Sequence, residues 1–153
     1  MSAEKARLRA MTSESPEPPL RAAGDLESLW SWLLDGPDGA DYTCRTLWLL
    51  PLDAADRPVR VVVPLEGVPD ELEGDDVESL GHVLAELVAE TVAASVPMAL
   101  SRPGDAAMTD ADRRFAIVLR REFGRQMGRW PMHLATRRRL QVFAPDDLIA
   151  VPR

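Results

Sequence analysis

No stretch constrains this chain more than Val96 to Asp112. Val96-Pro97-Met98-Ala99-Leu100 is an apolar run of strand length, Pro103-Gly104 is a turn pair, and a helical pattern opens at Asp110 or Asp112. A short apolar run without polar alternation reads as a strand buried on both faces. Strand, tight loop and helix start form the junction where α/β folds place ligands and catalytic groups. Here that junction carries Arg102, Asp105, Thr109, Asp110 and Asp112, with neither histidine nor cysteine.

The other elements are legible around it. A short helix is predicted over Leu26 to Leu34, capped by Asp25 and closed by Gly36-Pro37. Leu26, Leu29, Trp30 and Leu33 share its apolar face, and Trp32 falls off that face. An isolated helix of this length is marginal in water, so it must dock. Thr46 to Leu52 and Val59 to Leu65 read as two strands of a hairpin around the turn Asp53-Ala54-Ala55-Asp56. Pro51 points to an edge position or a bulge near the first strand's end. From Asp75 or Asp76 to about Ser95, Val77, Leu80, Leu84, Leu87, Val88 and Thr91 recur at helical spacing, opposite Glu78, Glu86 and Glu90. The next helix, capped by Thr109 or Asp110, carries the stripe Phe115, Ala116, Leu119, Phe123 and Met127. Trp130 to Thr136 and Leu140 to Phe143 form a final strand pair around Arg137-Arg138-Arg139. A leading helix followed by ββ-α-β-α-ββ predicts an α/β fold, a mixed β-sheet with packed helices. Residues 1–24, polar and proline-rich from Glu14 to Pro19, are expected to be a disordered tail, and 25–153 a single domain.

Composition narrows the function. Apolar residues make up 46% of the 153, enough for a sizeable core. No apolar run approaches the ~18 residues of a membrane span, and Met1 to Thr12 lacks an apolar signal-peptide centre. The single cysteine, Cys44, has no partner for an internal disulfide, so a reduced, cytoplasmic setting is expected, with no membrane partner. Charge is uneven. Residues 1–100 carry 7 basic and 19 acidic side chains, a balance of −12, while 101–153 carry 11 and 6, a balance of +5. The excess is arginine: Arg113, Arg120, Arg121 and Arg125 on one helix, and Arg137, Arg138 and Arg139 in the last hairpin. That hairpin is a candidate anion-binding patch, and nucleic acid is its natural ligand class. The blander reading is a solvated face that pairs with the acidic half. His82 and His133 have no ligand-spaced companions, so neither is read as a metal ligand. Asp75-Asp76 and Asp146-Asp147 sit where helix caps are needed, which explains them without catalysis. No nucleophile–base pair and no phosphate-cradling glycine loop can be assembled.

From about Arg45 to Ile149 the chain resembles the RadC-like branch of the JAB/MPN metalloprotease-fold family. Members open with a Glu heading an apolar strand that ends in Leu-Asp; here that strand is Arg45-Thr-Leu-Trp-Leu-Leu-Pro-Leu-Asp53. Their His-x-His-Pro-Ser-Gly-Asp loop and downstream Ser-x-x-Asp correspond, with one residue deleted, to Leu100-Ser-Arg102-Pro103-Gly104-Asp105 and Thr109-Asp-Ala-Asp112. A further Asp-His-hydrophobic pattern reads Met132-His133-Leu134. The resemblance implies a JAB/MPN-like, cytidine-deaminase-like layered architecture. It also implies a site of two His and one Asp around zinc, with a Glu orienting the attacking water. Zinc there lowers the water's pKa and polarises the scissile carbonyl.

Carried over position by position, the first His falls on Leu100, the second on Arg102, the Glu on Arg45 and the Ser on Thr109. Asp112 alone is kept. Leucine has no donor atom, and arginine keeps its proton in proteins. The resemblance therefore implies a pseudoenzyme with no metal and no cofactor. In it Arg45 and Arg102 converge on Asp112 as a salt-bridged structural core. The expected role is a protein-interaction or scaffold module with a protein partner that the sequence does not identify. The alternatives are a nucleic-acid-associated protein using the C-terminal arginines, and a hydrolase with an unorthodox site.

Overall fold

Two periodicities build the chain: an apolar stripe every third or fourth residue in the helices, and continuous apolar runs in the central strands. The computed structural model describes residues 9–10 and 19–149. They form β1 (Arg9–Ala10), α1 (Ala23–Asp35), β2 (Thr46–Leu49), β3 (Val61–Glu66), α2 (Gly74–Thr91), β4 (Met98–Ser101), α3 (Asp110–Met127), β5 (His133–Thr136), β6 (Arg139–Val142) and a closing 3-10 turn, Pro145–Leu148. The strands lie side by side in the order β1-β3-β2-β4-β5-β6. Only β4 and β5 run parallel. With β1 just two residues long, the working sheet is the five-stranded mixed sheet β3-β2-β4-β5-β6.

Helices cover both faces of the sheet. Leu80, Leu84 and Leu87 of α2, with Phe115, Leu119 and Phe123 of α3, pack on Leu47, Leu49, Met98, Leu100 and Leu134. On the other face Leu26, Leu29, Trp30 and Leu34 of α1 pack with Trp48, Ala99, Trp130 and Ala135. Successive residues of β2 and β4 therefore point into opposite cores, which is why both runs are apolar without alternation. The parallel neighbours β4 and β5 are joined by the helical crossover α3, since parallel strands cannot be joined by a tight turn.

Several boundaries differ from the expectation, each for a local reason. Asp25 is not the cap of α1. It lies one turn in, and its carboxylate accepts from the backbone N–H of Arg21 (2.8 Å) and of Ala22 (3.0 Å). β2 is central rather than an edge, so Pro51 marks an irregular extension. Leu50 N–H still donates to Pro97 and Leu52 N–H to Ser95. α2 stops at Thr91 instead of Ser95, because Val92 turns left-handed (φ 55°) and its N–H returns to Val88. The predicted strand from Trp130 begins only at His133, and β6 is shifted one residue toward the turn. Within the stretch expected as a tail, the structure describes residues 9–10 and 19–24. Arg9 and Ala10 pair with Val62 and Val61. Leu20 is buried, with its N–H on the Asp56 carbonyl. The rest of residues 1–18 lies outside the described residues.

Candidate functional site

The junction between β4 and α3 is the loop 102–109. Thr109 caps α3: its Oγ1 accepts from Asp112 N–H at 3.1 Å, and Asp112 Oδ2 accepts from Thr109 N–H at 2.9 Å. This reciprocal box satisfies two helix-end donors and fixes the Asp112 carboxylate. Alternation along β4 does the rest. Leu100 points to the α2–α3 core, while Ser101 points the other way and accepts from Trp48 Nε1 at 2.9 Å. Arg102, next in line, returns to the α3 side and meets Asp112.

The pair is tight and enclosed. Arg102 Nε donates to Asp112 Oδ1 (2.9 Å) and Oδ2 (3.1 Å), and Nη2 donates to Oδ2 (2.8 Å). The same guanidinium donates to the carbonyls of Pro103 (3.0 Å), Asp105 (2.9 Å) and Ala107 (2.9 Å). Arg102 is 7% exposed and Asp112 1%. A desolvated ion pair holds together only with this quality of geometry and with its remaining donors satisfied. Burial pushes the Asp112 carboxyl up, but hydrogen bonds from Arg102 and Thr109 and the Arg102 charge outweigh it, so its pKa lies below the ordinary carboxylate value.

Arg45 enters from the start of β2. Its Nη1 lies 3.9 Å from Asp112 Oδ1, its Nε 3.2 Å from Asp70 Oδ1, and its guanidinium 5.2 Å above the Phe115 ring. Burial lowers its pKa, against the pull of Asp70 and Asp112. Arg45, Arg102, Thr109 and Asp112 thus converge, with Arg102 as the close partner and Arg45 as an outer one shared with Asp70. Leu100 is fully buried apolar core. These residues do not fit a zinc ion. Asp112 is the one anionic donor among the positions assigned by the resemblance, and its oxygens are taken by Arg102 and Thr109.

His133 lies elsewhere. On β5 it shares a face with Ala135, toward α1, whereas Leu134 faces α3. It is 1% exposed, and neither ring nitrogen makes a hydrogen bond of good geometry. Burial takes its pKa down to about 4, with the Pro131 carbonyl pulling weakly the other way. His82 is exposed on α2, with Nε2 3.9 Å from Glu78. Cys44 is half-buried beside Thr46.

Four of the five α3 arginines are spent on separate partners. Arg113 reaches Asp110 (3.1 Å) and Asp147 (3.4 Å), Arg114 reaches Glu71 (3.6 Å), and Arg121 reaches Glu122 (3.3 Å). Arg120 donates to the carbonyls of Gly128 and Trp130. Of the hairpin patch, Arg137 donates to the Asp41 carbonyl at 3.0 Å and lies over Tyr42. Arg138 and Arg139 are exposed and make no ion pair among the described residues. Sequence reasoning did not find Asp70, Glu71 or Asp147 as partners. For Glu71 and Arg114 the signal available was the opposite charge of the two halves of the chain; Arg45–Asp70 and Arg113–Asp147 each lie within one half and had no such signal. No protein-family model matches the chain, and a search of curated proteins also finds no match.

Proposed function

We propose that this chain is a degenerate, non-catalytic JAB/MPN-like domain that serves as a protein-interaction or scaffold module. The observation that carries the reading is the Arg102 guanidinium. It lies where the resemblance puts a metal ligand, and bonds the one retained ligand residue together with three carbonyls of its own loop. A covalently attached cation neutralises Asp112 and holds the loop carbonyls, at the place where the resemblance puts a metal. The layered sheet and the strand-loop-helix junction support the family reading at the level of layout. A nucleic-acid role has less support, since most α3 arginines are committed to acids or carbonyls of this same chain. The test is metal analysis of protein purified without chelator and dialysed. Zinc well below one equivalent is expected. One equivalent surviving dialysis, or peptide hydrolysis abolished by Asp112→Ala, overturns the reading.

A further inference from the structure

β6 ends the sheet, and among the described residues nothing pairs with its outer side. Its register on β5 shows which backbone groups face outward. Phe143 N–H donates to the Met132 carbonyl, and Gln141 and Arg139 stand opposite Leu134 and Thr136. Antiparallel ladders alternate, so the odd-numbered residues bond inward to β5. Leu140 and Val142 therefore turn their N–H and C=O groups away from the sheet. Natural edges are blunted by proline, bulges, a covering element, shortness or charge. β6 has no proline or bulge; it is four residues long with one charge, Arg139, and Val142 is 39% exposed.

The outward groups line a trough. An open cavity of about 590 Å³ runs along Arg139 to Val142, with Glu27 of α1 on one flank and Met108, Arg113 and Asp147 on the other. At the turn end of the trough stand Arg138 and Arg139, exposed and without ion pairs among the described residues, in a chain of net charge −7. At the far end stand the apolar Val142 and Met108.

We propose that β6 is a docking edge for an extended segment of a partner protein, acidic at the Arg138–Arg139 end and apolar toward Val142. The segment adds a strand to the sheet through the backbone of Leu140 and Val142, while side chains set the register. This gives the binding role proposed above a surface and rests on that reading.

The probe is a synthetic peptide of two aspartates followed by alternating valine and threonine, titrated into the 15N-labelled full chain. Amide shifts at Leu140 and Val142 are expected, with slowed hydrogen exchange at both. Val142→Pro removes an outward N–H that β5 does not use, a substitution that edge strands tolerate. Each lost hydrogen bond should weaken binding about fivefold. Peptide N-methylated at alternate residues gives the same loss without touching the fold. Replacing both aspartates by lysine, or Arg138 and Arg139 by glutamate, should remove binding. The proposal is overturned if the peptide shifts neither amide, or if N-methylation changes nothing. It is also overturned if both amides are already slow to exchange in the free monomer, or if sedimentation shows a dimer that Val142→Pro dissolves. Zinc measured on the same preparation reports on the pseudoenzyme reading separately.

Discussion

Arg102→Met is the sharpest perturbation of the β4–α3 junction. It keeps an unbranched stem but removes the guanidinium and its charge from beside the Asp112 carboxylate, which is 1% exposed. Thr109 N–H remains at 2.9 Å, and the nearest remaining cation is Arg45, 3.9 Å away and shared with Asp70. The three loop carbonyls that lose Arg102 belong to exposed residues, so water replaces those bonds at small cost. The loss is therefore dominated by the stranded buried charge, about 3–5 kcal/mol for one partner of a buried pair. At ~2–4 °C per kcal/mol for a chain of this length, Tm should fall by about 6–20 °C. The assay is thermal and urea unfolding by circular dichroism at pH 7. Adding Asp112→Asn should restore part of the loss, because the double variant buries no charge. A single-variant loss under about 1 kcal/mol, the value of an exposed pair, would refute the claim that the pair is desolvated.

Burial also leaves a pH signature at His133. Its pKa falls from 6.5 to about 4 on folding. The unfolded chain therefore binds the proton first as pH drops, so the neutral side chain's contribution is complete above about pH 6.5 and lost on the way to 4, roughly 3 kcal/mol in all. Urea midpoints measured across that window should slope for the wild type and flatten for His133→Leu; equal slopes would count against burial of a neutral imidazole. At Gly39, a Cβ would press on the backbone oxygens of Leu33 and Leu34 at the end of α1. Gly39→Ala should cost about 1–3 kcal/mol by overpacking, read from the same melts, and an unchanged Tm would show that the α1 end yields.

What was legible in the sequence follows from locality. The α3 stripe Phe115, Ala116, Leu119, Phe123 and Met127 is buried as its spacing requires, because helical periodicity is a property of neighbours. The hairpin β2–β3 and a cap at Thr109 or Asp110 were legible for the same reason; the reciprocal bond from Asp112 was not read. The Arg102–Asp112 pair could be anticipated because one strand end and one helix start position both residues. The outer partners were not, since Asp70, Asp56 and Asp147 come to Arg45, Arg129 and Arg113 only through tertiary packing. Nor could the sequence mark β6 as the edge. Strand order depends on which crossover carries which helix, and residues 139–142 look like any polar-apolar strand.

The junction and the edge are not independent. Gln141 of β6 donates its side-chain amide to the Ala106 carbonyl at 2.6 Å. Ala106 lies between Asp105 and Ala107, whose carbonyls are both held by Arg102. Ala107 and Met108 in turn form part of the trough wall beside β6. The guanidinium thus holds the wall in place from behind, and Gln141 ties the strand to it. Removing Arg102 should let the 105–108 loop relax, even in molecules that remain folded. The expected result is weaker peptide binding by Arg102→Met at a temperature well below its Tm, with the Gln141 side-chain amide resonance shifted in the free protein. Gln141→Leu, which cuts the tie but spares the ion pair, should reproduce the binding loss without the large drop in Tm. If both variants bind the probe as tightly as the wild type, the loop and the edge are mechanically separate, and Arg102 serves stability alone.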